Sequence, residues 1–281
     1  MYPVRSFRAA INNLLASLAG IIAIAPIYLL FANALKTQSD ANSMSPEPPL
    51  NPQWSNFATV IDQGGLVTAF LNSALYAFGS TILGVLVAAL AAYVLSRRRS
   101  RWHQVIYLSL IMGIALPTNY VTLTKVMQMT GMINTQIGMI VLYAAMQLPF
   151  DVFLIYAFIG SVPRELDEAA FLDGASPLRT FRSVILPILT PVLATCGVLN
   201  ILNVWSDFIN PLYFLNNSDN WPMTLSVFNF FSQGTSFTGA GGSNWALVSA
   251  DVVLSILPVI IIYVIAQRWI LSGLGAGAVK G

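Results

Sequence analysis

The sequence predicts an all-α polytopic membrane protein with six transmembrane helices and a short helical loop between the fourth and fifth. Three observations predict it. Of 281 residues, 56% are hydrophobic and only 9% are charged, whereas soluble domains carry about 25% charged residues. Mean hydropathy is +0.72, so lipid must be the solvent for most of the surface. Apolar runs recur at the length of about 20 residues that a helix needs to cross a bilayer. The basic residues are also sorted onto alternate flanks of those runs.

The first span, roughly Leu14–Leu35, follows Arg5 and Arg8 and contains the cleavage-like Ala32-Asn33-Ala34. Its apolar run exceeds the ~7–15 residues of a signal-peptide core, so it reads as a retained span. Ala69–Leu95 is the second and Val105–Val126 the third, with a kink expected at Pro117-Thr118-Asn119. Ile137–Ile159 is the fourth. In it Pro149 is expected to disrupt the helix and free backbone carbonyls, and Asp151 reads as a packing residue of the inner half or as a functional one. Ile188–Leu215 is the fifth. Leu247–Ile270 is the sixth, with a second bend expected at Pro258, and with Asp251 near its outer start and expected to meet solvent. Residues 1–13 then form an N-terminal segment, 14–270 the six-span domain with its loop at 161–187, and 271–281 a tail. No internal repeat or separate soluble domain is visible.

Charge sets the orientation. Arg5, Arg8, Arg97, Arg98, Arg99, Arg101, Arg164, Arg179, Arg182, Arg268 and Lys280 lie on one set of flanks, and only Lys36 and Lys125 on the other. By the positive-inside rule both termini and the 161–187 loop are cytoplasmic. On the outer side, "SPEPPLNP" carries four prolines and favours extended chain. The stretch Asn217–Trp245 is rich in Gly, Ser, Asn and aromatic residues and has no Lys or Arg. Both read as linkers or as docking surfaces for an external partner.

The inner loop carries "ELDEAAFLDG", residues Glu165–Gly174, with four acidic residues of ten. Pro163 suits a first helical turn, and Glu165, Asp167 and Glu168 complement the helix dipole. Leu166, Ala169, Ala170 and Leu172 form a narrow apolar stripe. Gly174 ends the helix, and Ser176-Pro177 starts a second one that runs through Arg179 and Arg182 to Leu186-Pro187. A helix, a glycine corner and a second helix are more order than a passive connector requires. Small Ala169 and Ala170 would let another protein approach closely. The acidic residues argue against an amphipathic helix lying on the lipid, because the inner leaflet is itself negative.

A polar stripe also marks the fifth span. Asn200, Asn203, Asp207 and Asn210 recur at helical spacing, and such a stripe must face protein or water. Carboxylates and amides among aromatic rings suit a polyhydroxyl solute. They equally suit a contact between helices.

Several chemistries are excluded. A net charge of +2 does not suggest a nucleic-acid partner, and Cys196, the only cysteine, leaves no disulfide framework or metal cluster and reads as a packed thiol. His103 is the only histidine, too few ligands for a zinc site. The Gly-x-Ser-x-Gly elbow of a serine hydrolase is absent. "GLGAGAVKG" follows a span, opens no helix and lacks the Gly-Lys-Ser/Thr of a phosphate loop, so the chain carries no ATP site of its own.

"EAAFLDGASPLRTFRSVILP", Glu168–Pro187, resembles the EAA loop of bacterial ATP-binding-cassette importer permeases. Glu168-Ala169-Ala170, Gly174, Val184 and Leu186-Pro187 stand in register, with Val184 replacing the usual isoleucine. "NWPMTL", "WSDFINPL", "LSILPVIIIYVIAQRW" and "SGLGAGAVKG" look like the sugar-importer branch, in particular its maltose-type second permease subunit. The resemblance implies a multi-pass inner-membrane transport subunit with no catalysis of its own. It implies that Glu168, Ala169, Ala170, Gly174, Leu186 and Pro187 couple to an ATPase, and that Gly277, Ala278, Val279, Lys280 and Gly281 insert between two ATPase subunits. Cofactors are then none on this chain, with ATP and Mg on the partner ATPases. The implied partners are a second permease in a heterodimer, two cytoplasmic ATPase subunits and an extracytoplasmic solute-binding protein. Asn203, Asp207 and Asn210 are the candidate solute path. A glycerol-phosphate or polyol importer is the nearest alternative. A channel or ATP-independent carrier is the alternative of another class.

Overall fold

The computed structural model describes the backbone of residues 3–63, 65–98, 100–237 and 244–278, and the side chains of 12–62, 65–98, 100–232 and 244–267. The helices in chain order are α1 Pro3–Ala34, α2 Leu66–Arg97, α3 Arg101–Ala115, α4 Tyr120–Met129 and α5 Gln136–Ile159. They continue with α6 Glu165–Leu172, α7 Pro177–Ile188, α8 Thr190–Ser206, α9 Ile209–Phe214, α10 Met223–Phe237 and α11 Trp245–Ala278. Short helices at Gln38–Ala41 and Ser55–Gln63 lie between α1 and α2.

Four helices, α1, α2, α5 and α11, are long and apolar enough to cross a membrane, and two bent pairs raise the number to as many as six. The expected third span is the pair α3 and α4, bent by 118°. Leu116, just before Pro117, is extended with ψ 127°, because the proline ring disfavours helical backbone in the residue before it. Asn119 then restarts the chain by accepting the Thr122 N–H at 3.1 Å. Pro149 and Pro258, by contrast, lie inside unbroken helices. The expected disruption at Pro149 does not occur, since the rest of α5 keeps its helical bonds around one missing N–H.

The chain divides into two units, 1–67 with 226–258, and 68–225 with 259–281. In the first, the end of α1 is clasped by the proline-rich segment. Lys36 is 4% exposed, and its ammonium donates to Asn33 Oδ1 at 3.2 Å, Ser45 O at 2.7 Å and Ser45 Oγ at 2.9 Å. Asn33 donates to Ser45 O at 3.1 Å and Tyr28 to Pro46 O at 3.0 Å. A pocket of about 290 Å³ lies here, lined by Lys36, Asp40, Glu47 and Asn51 among others. Asp251, expected to meet solvent, is 1% exposed and sits beside buried Ser249 and Ala250. The stretch read as a loop from Asn217 holds the 15-residue helix α10. Its apolar Met223, Leu225, Val227 and Phe228 outweigh the polar residues that suggested a loop.

The second unit has its core where α2, α5, α7 and α8 meet. Ala88, Ala89 and Ala92 of α2 pack with Val152, Ile155 and Ile159 of α5 and with Phe181, Ile185, Leu189 and Cys196. Small side chains let membrane helices approach closely, and Cys196 is the packed thiol its apolar setting predicts. The connection from α9 to α10 is tied down by its backbone. Asn72 donates to Asp219 O at 2.7 Å, Tyr76 to Asn220 O at 2.8 Å, and Asn134 Oδ1 accepts the Asn216 and Asn217 N–H groups at 3.0 Å.

Candidate functional site

Two places in the second unit gather the residues singled out from the sequence. The first is the loop from α5 to α8. Helix α6 begins one residue beyond Arg164, with Glu165, Asp167 and Glu168 in its first turn, where the partial positive charge of the N-terminus favours them. Pro163 lies just outside this turn rather than in it. Gly174 has φ +80°, a left-handed corner that a side chain would strain. Ser176 caps the next helix, accepting the Arg179 N–H at 3.4 Å, with Pro177 as its first residue. The backbone widens to a π turn over Phe181–Ile185, and the Leu186 N–H reaches back to Phe181 O. Leu186-Pro187 end the widened turn, and the chain bends by 75° at Leu189 before α8, whose first turn carries Pro191.

The exposed face differs from the expected one. Glu168 and Ala169 are exposed, but Ala170 is 8% exposed and turned inward, and its carbonyl accepts the Ala175 N–H at 3.0 Å. Ala170 therefore packs largely within the helix–corner–helix, and Ala169 is the small side chain that stands exposed. What projects outward is Phe171, Leu172 at 86% exposure and Leu178. Large apolar groups beside carboxylates, off the apolar spans, mark an interaction surface. They were hidden in the sequence because Leu172 fits the helical stripe only loosely and Leu178 lies beyond the corner. Asp167 is the one acidic side chain of α6 that is partly buried. It meets Tyr93 and Arg97 of α2, which in the sequence stand out only as part of a span and as one more basic flank residue.

The second place is the expected polar stripe. Its four residues do not share one helical face, because α8 stops at Ser206 and Asp207 is extended with ψ 133°. The cause is Pro211. A helical proline clashes with the carbonyl four residues earlier, which here is that of Asp207. That carbonyl accepts the Thr224 hydroxyl at 2.7 Å instead. The Asp207 carboxylate caps α9, accepting the Ile209 N–H at 3.2 Å and the Asn210 N–H at 3.2 Å. It also takes the Asn210 amide at 2.8 Å and the Tyr143 hydroxyl at 2.7 Å.

The remaining stripe residues separate. Asn200 is buried and donates to Asp151 at 2.7 Å, joining α8 to α5. Asp151 is 0% exposed and lies against Cys196. Asn203 is exposed. Near Asp207, Tyr120 stacks on Tyr213 with ring centres 4.6 Å apart, and Phe214 lies 6.2 Å from Tyr120. Gly277 and Ala278 end the helical backbone of α11, eight residues past the expected end of the span, while Val279, Lys280 and Gly281 lie outside the described residues. Among the described residues no cluster of His, Cys, Asp and Glu could hold a metal ion.

Comparison with known proteins agrees with this architecture. Residues 80–274 match the family described as "Binding-protein-dependent transport system inner membrane component". The melibiose/raffinose/stachyose import permease protein MelC of Bacillus subtilis is 30% identical, over 99% of this chain and 100% of that protein. The diacetylchitobiose uptake system permease protein NgcG of Streptomyces coelicolor is 30% identical, over 97% of this chain and 89% of that one. The crystal structure of a bacterial ABC transporter involved in the import of the acidic polysaccharide alginate superposes with a TM-score of 0.85 at 21% identity, over 95% of this chain and 98% of that chain.

Proposed function

Because this chain belongs to the family of binding-protein-dependent transport system inner membrane components, we propose that it is one permease subunit of an ATP-driven importer of a sugar or oligosaccharide. The names of its relatives support the solute class. The basic flanks support an orientation with both termini and the α6 loop in the cytoplasm. Solute delivered by an external binding protein enters between this chain and a second permease. The end of α1, with its clasped proline-rich segment, offers that binding protein an ordered polar surface. Two cytoplasmic ATPase subunits hold ATP and Mg, and their closure moves α6 and α7 and so tilts the spans. Hydrolysis belongs to those partners and not to this chain.

The observation that carries this reading is the α6 surface. Glu168 and Ala169 stand with Phe171, Leu172 and Leu178 on a rigid helix–corner–helix outside the spans. Gly174 sets the corner, Leu186 and Pro187 carry the second helix to the bend before α8, and inward-turned Ala170 packs within the unit. Residues Gly277–Gly281 would add a second ATPase contact at the end of α11. For the solute path, Asn203 supplies an exposed amide, while Asp207 and Asn210 hold the shape of the wall beside Tyr120 and Tyr213.

The test is copurification of an ATPase with this chain, followed by solute-stimulated hydrolysis in reconstituted membranes. Phe171→Ser with Leu178→Ser should leave membrane insertion unchanged and reduce ATPase attachment by about tenfold, the order expected when central apolar anchors are removed. An ATPase that attaches equally to the variant, or hydrolysis indifferent to any sugar, would count against the proposal.

A further inference from the structure

We propose that Tyr93, Arg97 and Asp167 form a latch that makes α6 and the last turn of α2 one mechanical piece. A push on α6 is then delivered to the spans instead of being absorbed by the loop. The inference rests on the coupling role assigned above to α6.

Helix α6 has 8 residues, and a helix that short has little stability of its own. Its direction must come from what holds it. Asp167 is that hold. Its Oδ1 accepts the Tyr93 hydroxyl at 2.7 Å, and its Oδ2 lies 2.9 Å from the Arg97 guanidinium, with the two charged side chains 15% and 19% exposed. Arg97 also donates from both terminal nitrogens to Val162 O at 3.3 Å, in the chain just past α5. Arg164 returns the contact by donating to Ser96 O at 3.3 Å. The Tyr93 ring packs on Phe181 of α7 at 5.3 Å. One turn of α2 therefore grips the end of α5, α6 itself and the helix beyond the corner.

The chemistry suits a grip. A guanidinium presents several donors in a fixed fork, so one arginine can hold a carboxylate and a carbonyl together. The Tyr93 hydroxyl makes a charge-assisted bond to Asp167 Oδ1, and the Arg97 ion pair at Oδ2, being partly buried, is less screened than a surface pair. Glu165 and Glu168 on the same helix are exposed and make no such contact. The acids of α6 thus divide, with Asp167 facing its own chain and the others facing outward. Tyr93, Arg97 and Asp167 act through α6 and are positioning residues.

The test uses the assembled complex in reconstituted membranes. If the unmodified complex binds no ATPase, the importer reading fails and the latch is not the cause. Given attachment, Asp167→Asn, Arg97→Gln and Tyr93→Phe should each keep ATPase copurification while uptake per ATP hydrolysed falls by about tenfold, as loss of a partly buried ion pair or of a hydrogen bond to a carboxylate implies. The Arg97→Gln/Asp167→Asn pair should be no worse than the poorer single variant. Unchanged uptake per ATP, or attachment lost in proportion to uptake, overturns the latch. A second arm replaces Cys196 with Ala and introduces Arg97→Cys with Asp167→Cys. Joining the two thiols with a short bifunctional reagent should restore uptake per ATP toward that of the Cys196→Ala background. If the cross-link stops uptake while attachment persists, the two elements move apart during transport and the latch is refuted.

Discussion

Asp207 and Glu168 are both carboxylates near the start of a helix, yet the chain treats them oppositely. Asp207 is surrounded by donors from its own chain. Tyr143, Ile209 and Asn210 use its oxygens, and Thr224 takes its carbonyl. Glu168 stands exposed on α6 with apolar Phe171 and Leu172 close by in the sequence. The difference teaches where to look for partners in a membrane protein. A charge placed among the spans gains most from donors of its own fold, because lipid offers no hydrogen bonds. A charge outside them can be kept free for another molecule. Asp167 lies between these extremes, on the exposed helix but paired inward.

Asp207→Leu should break the comparison most severely. It leaves the Tyr143 hydroxyl and two backbone N–H groups without their acceptor, at about 1–3 kcal/mol for each buried donor orphaned. Complex yield and uptake should fall together, by tenfold or so if even one of these costs is fully felt. Asp207→Asn should keep most of the yield, since an amide oxygen still accepts. Exposed Asn203→Leu should lower uptake with yield unchanged, as expected of a residue on the solute path. Detergent-extracted yield measured beside uptake separates the three, and a silent Asp207→Leu would show that the cap is dispensable.

Gly174→Val should act at an intermediate level. Nothing lies within 4 Å of a Cβ added at Gly174, so the cost is the left-handed backbone alone, about 1–2 kcal/mol. Insertion should persist, while the corner opens and ATPase attachment weakens several-fold. Normal attachment in this variant would mean that the corner does not set the docking surface.

Glu168→Lys should have the smallest effect on the chain itself. Its thermal stability should match that of the unmodified chain, because the group is exposed and unpaired within the fold. Attachment of the ATPase should nevertheless fall by about tenfold or more, as charge reversal at a docking surface implies. A stability loss without an attachment loss would reverse the assignment of inner and outer carboxylates.

The apolar spans, the sorting of basic flanks and the helix–corner–helix between α5 and α8 are legible in the sequence. These follow from local rules acting over a few residues. Enough apolar residues in a row require lipid, glycine turns the corner at Gly174, and Ser176-Pro177 starts a helix. The break at Pro117 is legible too, since a proline restricts the residue before it. Which polar groups are consumed within the fold is settled by packing. Pro211 breaks the apparent stripe at Asp207 by a local rule, but its partner Tyr143 comes from 64 residues away. Ala169 and Ala170 are adjacent and alike in sequence, yet one is exposed and the other buried. Arg97 reads as one more positive charge until folding brings Asp167 and Val162 to it. Such pairings join side chains from elements far apart in the chain, and no local periodicity encodes them. They are fixed by how α2, α5, α7 and α8 pack, where burial leaves a polar group no alternative to a partner in the same fold.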